Sequence, residues 1–541
     1  MKYSVRTHAN YKRVGKLIVA TIIGSMILSS CSSNENPSDV ADVSALSIQN
    51  GIVGHQDNAG QPVEGGSLTY ATYSFISSFD PSKNQSAGAQ GGSEMAAIYD
   101  VLVRYDQENR TYEPQLAKSL SSSDDQLTWT LTLRDGVTFN DGTPLDSRAV
   151  MESIERFNTN RGLNSQVWTT SVSQMSAPDS STVVFTLREP WQEFPAMLAG
   201  GHGMIVAPSA IVGNTVEPIG AGPFTVERFA PNEVLLLQAR TDYWGGRAHL
   251  NQIRFVPIVD DKGKVDALKT GEAQVAYLRS PDVVAQLRSE DFAGYVDTSS
   301  LGNIVQINNR PGRPGNDVRV RQAIAYATDV DIFDTRANNG QGLPGAEIFQ
   351  PWSEWHNDVA PLGYEPAKAK QLLEAAMADG YNGHITYTST NSPIGQAQAL
   401  AVQAMLQAVG FTLDIDYQNS AADMSKKVRV QQDFDLAFSG LSLYEIAPYI
   451  RLYSALDSES TNNVFGYNNP DMDAALVKVQ SAKNDDEKRT ALAGIQTLVN
   501  ETSPFITLGA LTTFIPWTDD VHGIQPTLDG ILLLNDAWLA P

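Results

Sequence analysis

Between residues 65 and 515 the chain moves between two hydrophobic periods. Leu127, Trp129, Leu131 and Leu133 alternate with threonines, the period of a half-buried strand, and Val183, Phe185 and Leu187 repeat that spacing. A strand is also expected over 65–70, followed by a helix over 92–102. Asp135-Gly136 and Asp141-Gly142 mark tight turns. Asp146 stands where an N-cap is wanted, and Val150, Ile154 and Phe157 recur at helical spacing behind it. Gly220-Ala221-Gly222-Pro223-Phe224 is a turn flanked by strands over 224–226 and 234–237. A mixed stretch over 256–279 leads to a crossing strand over 304–308. Beyond it the texture becomes helical. Val320, Ile324 and Ala327 share one face; Ala369, Leu372, Leu373 and Ala376 form a stripe behind Pro366 that Gly380 ends. Leu400, Ala401, Ala404, Met405 and Ala408 repeat the pattern up to Gly410, and Phe411, Leu413, Ile415 and Tyr417 alternate as a strand. Residues 471–499 read as helical and 504–511 as an apolar strand. Helix, strand, helix in succession is the order of an α/β domain.

The N-terminus follows another rule. Lys2, Arg6, Lys12, Arg13 and Lys16 precede an apolar run over 17–28, the charged and apolar regions of a secretory signal. Twelve residues cover roughly 18 Å as a helix, too little to span a bilayer core of about 30 Å. The run ends at Leu28-Ser29-Ser30-Cys31, which resembles the bacterial lipobox. That resemblance implies cleavage before Cys31 and diacylglycerol on its thiol, a two-chain anchor; the bland alternative is a free thiol beside an ordinary cleavage site. Ser32, not Asp, follows, so the inner-membrane retention signal is absent. Residues 32–64 carry no sustained period and read as a flexible tether, reaching about 30 Å.

Removing residues 1–30 leaves 33 basic against 61 acidic residues, a formal charge of −28. Such a surface repels nucleic acid and anionic lipid. Cys31 is the only cysteine, so no intramolecular disulfide can form and packing must hold the fold. Phosphate-loop, nucleophile-elbow and His-Glu-x-x-His motifs are absent, and no two histidines are spaced as a metal pair on one helix. Neither catalysis nor a cofactor is expected.

Several ordered stretches resemble the family 5 solute-binding proteins of ABC importers, the dipeptide, oligopeptide and nickel binders. They are Leu133-Arg134-Asp135-Gly136-Val137 with Phe139-Asn140-Asp141-Gly142-Thr143-Pro144, Gly220 to Phe224 with Asp242-Tyr243-Trp244, Asp317 to Ala327, Pro366-Ala367-Lys368-Ala369, and Phe465-Gly466-Tyr467-Asn468-Asn469-Pro470. The resemblance implies an α/β, two-lobed periplasmic-binding-protein-like fold of the class II type, with an inserted subdomain and a hinge. One lobe would be discontinuous, built from 65–98, 219–306 and 504–541 with the insert over 99–218; the other would span 307–503. Asn303, Asn308 and Pro504 would lie at the hinge.

In peptide binders of this family an aspartate in a Gly-Trp-x-x-Asp-Tyr-x-x-Pro stretch pairs with the peptide amine. The counterpart here runs from Gly440 to Pro448, and Tyr444 occupies the aspartate's place, with Glu445 beside it as a substitute anchor. Tyr73, Phe75, Trp168 and Trp352 are candidate cleft aromatics, and Asn391 and Ser392 would present a helix N-terminus to a carboxylate. Arg319 and Arg321 read as structural ion-pair partners. The expected protein is a monomeric, lipid-anchored receptor on the outer face of the cell membrane, or in the periplasm where there is an outer membrane. It would pass a small solute, a short peptide first, to an ABC permease and its ATPase. Alternatives are a non-peptide solute such as an oligosaccharide, an opine-like conjugate or a metal chelate, and, in other classes, a cell-envelope hydrolase or a sensor lipoprotein.

Overall fold

The computed structural model describes residues 50–54 and 60–541; Cys31, the signal segment and most of the tether lie outside them. None of the described helices is long and apolar enough to cross a membrane. The fold is α/β and two-lobed.

One lobe is centred on a sheet in the order Phe224–Ala230, Val234–Ala239, Gln252–Pro257, Ser67–Thr72, Val275–Ala276. Ser67–Thr72 runs parallel to both neighbours and buries Leu68, Tyr70 and Ala71, as a strand covered on both faces must. The insert is an antiparallel sheet, Ala117–Ser122, Thr128–Leu133, Thr182–Leu187, Val172–Asp179, whose alternating residues share a core with Val150 and Ile154 of the helix Ser147–Thr159, while Phe157 of that helix packs on His202. That helix starts where expected, with Ala149 N donating to the Asp146 carboxylate at 2.9 Å.

The second sheet runs Leu343–Pro344, Phe505–Pro516, Gly294–Ile307, Leu436–Ser439, His384–Thr390, Thr412–Gln418, with Gly51–Val53 paired to the start of Gly294–Ile307. Helices Val318–Ala327, Pro366–Ala378 and Pro393–Ala408 cover it and enclose a core around Ile324, Leu373, Leu406 and Leu436. Two strands cross between the lobes, and the crossing strand is longer than the apolar run over 304–308 suggests: 14 residues, because its polar first half pairs with Phe505–Pro516. That ladder loses register between Ser299 and Ile304, where Leu301 has φ 51° and Gly509 φ 147°. Gly302 lies so close to the Leu511 backbone that a side chain would collide, so the irregularity is held by glycine at both strands.

Two further expectations are corrected, and three helices are added. Residues 471–499 form two helices, Pro470–Gln480 and Asp485–Thr502, because Asn484 caps the second by accepting from Glu487 N at 2.9 Å. Arg319 does pair with Asp317 and Asp379, but Arg321 donates to the carbonyls of Thr502, Gly315 and Asn316 instead of to a carboxylate. Helices Asp261–Thr270, Pro281–Ser289 and Pro448–Leu456 were not legible as such: short helices packed on several sides lose the one-sided stripe that marks them.

Candidate functional site

Strand Leu436–Ser439 runs into an irregular segment over 440–447, and helix Pro448–Leu456 follows. Two cavities of about 300 Å³ each flank that segment, and their charges are opposite.

The first meets Leu443, Tyr444 and Glu445. Tyr295 and Asp297 enter it from the crossing strand and Asp529 from the turn Leu528–Gly530, while Arg110 and Glu354 pair at its wall. Burial, and then the charges of Asp529 and Glu445, push the Asp297 pKa up to about 7. Burial raises Asp529 and Glu445 as well, because a carboxylate withdrawn from water is harder to ionise, and the Arg451 charge opposes the rise at Asp529. Glu445 is the best satisfied: its carboxylate accepts from Ser300 Oγ at 2.5 Å and Ser353 Oγ at 2.6 Å. The Asp297 carboxylate has no hydrogen-bond or ion-pair partner among the described residues.

The second cavity meets Ser439, Gly440 and Leu441 on the other side of the segment, with Ile304 and Gln306 of the crossing strand. Its charged lining is Lys83, Arg161, Arg429 and Arg451. A partition separates the two spaces: Tyr444 donates its hydroxyl to Asp529 Oδ2 at 3.0 Å, Arg451 approaches the same oxygen at 3.4 Å, and its guanidinium lies 4.6 Å over the Tyr444 ring.

Of the residues singled out in the sequence, Trp352, Tyr444 and Glu445 converge on the acidic cavity, with Trp352 Nε1 held by Gln350 at 2.7 Å. The others line neither cavity. Trp168 is buried, stacked on His202 at 4.6 Å, and the apolar packing drives the His202 pKa down to about 3. Phe75 stacks on Phe229 at 5.9 Å, and Tyr73, though 41% exposed, lies against Tyr277 with Lys264 and Arg279 over its ring. Ser392 caps helix Pro393–Ala408 by accepting from Gly395 N at 3.1 Å, and Asn391 accepts from Gln396 at 2.8 Å. At the crossing, Asn303 Nδ2 reaches Ala510 O at 3.4 Å, buried Asn308 donates to Phe434 O at 2.9 Å, and Pro504 O accepts from Asn309 at 3.1 Å. Sequence reasoning missed Asp297, Asp529 and all four cations. Arg451 did carry a signal, as the single charge in the helix Pro448–Leu456; Lys83, Arg161 and Arg429 look like ordinary surface residues.

No group of three or more His, Cys, Asp or Glu side chains among the described residues is placed to hold a metal ion. Residues 111–463 match the model of the bacterial extracellular solute-binding proteins, family 5. The chain belongs to this family. A family 5 protein is the substrate-binding component of an ABC transporter and not an enzyme. The glutathione-binding protein GsiB of Salmonella paratyphi A is 26% identical over 410 residues, 73% of this chain and 79% of its own. Among solved structures, DppA of Helicobacter pylori in complex with the peptide STSA superposes with a TM-score of 0.74 at 24% identity, covering 88% of this chain and 99% of that one. NikA of Brucella suis in complex with Fe(III)-EDTA superposes at 0.71 with 21% identity, covering 88% and 100%.

Proposed function

We propose that this family 5 protein is a lipid-anchored receptor that captures short peptides between its lobes and delivers them to an ABC permease. The observation that carries the peptide reading is the pair of oppositely charged cavities on the two sides of residues 439–445. A short peptide is itself a zwitterion, so its amine would enter the acidic cavity and its carboxylate the basic one. The glutathione-binding relative points to the same class. Lobes of 65–98, 219–306 and 504–541 against 307–503 meet at the irregular crossing, which supports a hinge at Asn303, Asn308 and Pro504. The lipid anchor rests on the Leu28-Ser29-Ser30-Cys31 motif alone.

Native mass spectrometry of the protein purified without denaturation tests the peptide reading. A set of short peptides leaving with the protein is expected; a single non-peptide mass would move the substrate class and keep the receptor.

Glu445 is already engaged by Ser300 and Ser353, so the amine anchor in this reading is Asp297. Tyr295, Asp529 and Glu445 face Asp297, with Glu354 and Arg110 on the same cavity wall. With its pKa near 7, Asp297 is mostly neutral at pH 6. Affinity for free-amine peptides should therefore fall about tenfold from pH 8 to pH 6, and Asp297→Asn should bind weakly at both. An unchanged pH profile in the variant, measured by calorimetry, would remove Asp297 from this role. Folding stability responds in the opposite direction, because a carboxyl whose pKa is raised on folding opposes folding once ionised. Ligand-free Asp297→Asn should gain about 4 kcal/mol at pH 8, and the gain should vanish as the pH falls through 7 towards 4.

A further inference from the structure

We propose that the basic cavity selects solutes carrying at least two oxyanion groups, so that among peptides the acidic ones are the ligands and neutral or cationic ones are not. This rests on the cleft being the ligand site and adds what that site discriminates.

The whole chain carries 38 basic against 61 acidic residues, yet every charged residue lining this cavity is basic. The four cations arrive from separate places. Lys83 ends the short helix Pro81–Lys83, Arg161 follows the helix Ser147–Thr159, Arg429 lies in the turn Lys426–Val430, and Arg451 projects from Pro448–Leu456. Tertiary folding therefore gathers them; no local run of charge does. Like charges held around one concave space repel, and an anion entering that space relieves the repulsion. Loss of water around its guanidinium and then the charge of Arg451 lower the Arg429 pKa, consistent with their facing one space.

Their donors are also largely unused. The side chains of Lys83, Arg161 and Arg429, all three exposed, make no hydrogen bond or ion pair among the described residues. Arg451 spends one nitrogen on Asp529, at 3.4 Å, and its buried Nε has no acceptor. One guanidinium takes one carboxylate through two parallel hydrogen bonds. Arg161 and Arg429, together with the free part of Arg451, thus offer more capacity than a single terminal carboxylate uses. The second independent observation is Gln306. Only 5% exposed on the crossing strand, it lines the cavity with a buried Oε1 that no donor satisfies. A buried acceptor left unpaired is costly, and a ligand N–H or O–H beside the anionic groups would satisfy it.

The test is calorimetry on the full chain in detergent with four probes: Glu-Ala-Glu, its isostere Gln-Ala-Gln, Lys-Ala-Lys and citrate. Glu-Ala-Glu should bind at least about tenfold more tightly than Gln-Ala-Gln, and Lys-Ala-Lys should not bind. The preference should shrink to within about twofold in the double variant Arg161→Gln, Arg429→Gln, whose partner-free side chains leave the thermal midpoint where it was. Equal affinity for Glu-Ala-Glu and Gln-Ala-Gln, or a preference that survives the double variant, overturns the inference and leaves the peptide receptor standing. Citrate binding that depends on both arginines while no peptide binds keeps the anion selectivity and removes the peptide reading. No heat with either anionic probe overturns the selectivity itself.

Discussion

Lys488→Met is expected to lower the unfolding free energy by about 3–5 kcal/mol. Lys488 is 4% exposed on the helix Asp485–Thr502, and its ammonium pairs with Glu193, 6% exposed in the loop that closes the inserted sheet. The ammonium also lies 4.9 Å over the Trp355 ring. Burial already raises the Glu193 pKa, and the Lys488 charge is the main force opposing that rise. Methionine keeps the apolar stem and removes the charge, which leaves a buried carboxylate without compensation. The loss should appear as a lower denaturant midpoint with an unchanged slope. Adding Glu193→Gln should recover most of it, since a pair of neutral side chains no longer carries the cost of burying a charge. A single variant within 1 kcal/mol of the parent would show that water reaches the pair. The seam matters because the same contact zone sets Trp191 edge-on to Tyr449 at 5.4 Å and joins Gln480 to Ser171 at 3.1 Å, tying the insert to the helices beyond the cleft.

Trp168→Ala should cost a similar amount, about 3–5 kcal/mol, while leaving affinity in the folded fraction unchanged. The indole is 3% exposed and packed on Phe185, Phe194 and His202, with ring centroids 5.7, 5.5 and 4.6 Å away. Truncation opens a cavity that the three surrounding rings cannot collapse to fill. Thermal unfolding and ligand titration on the same sample separate the two readouts. A variant with native stability and weakened binding would return Trp168 to the ligand site.

Trp168 shows how far residue type alone can be read. A tryptophan in an inserted subdomain suits a cleft and a core equally, because both reward a large apolar ring; only the neighbours decide, and they come from positions 185, 194 and 202. The same holds for Ser392, whose hydroxyl serves its own helix, and for Glu445, whose carboxylate ties the segment after Leu436–Ser439 to Ser300 and Ser353.

The local elements were written in the sequence because their causes are local. Alternation at Leu127–Leu133, the cap at Asp146 and the stop at Gly380 act within a few residues, and the structure has each where expected. The ordered motifs from Leu133 to Pro470 likewise sufficed to place the chain in its family and its two-lobed fold. What only the tertiary structure decided is the polarity of the site. Asp297 and Asp529 stand 232 positions apart, and Lys83 and Arg451 still further, so no window along the chain holds both members of either set. Charge interactions depend on distance in space and on local water; folding sets both when it brings these residues to the two sides of residues 439–445.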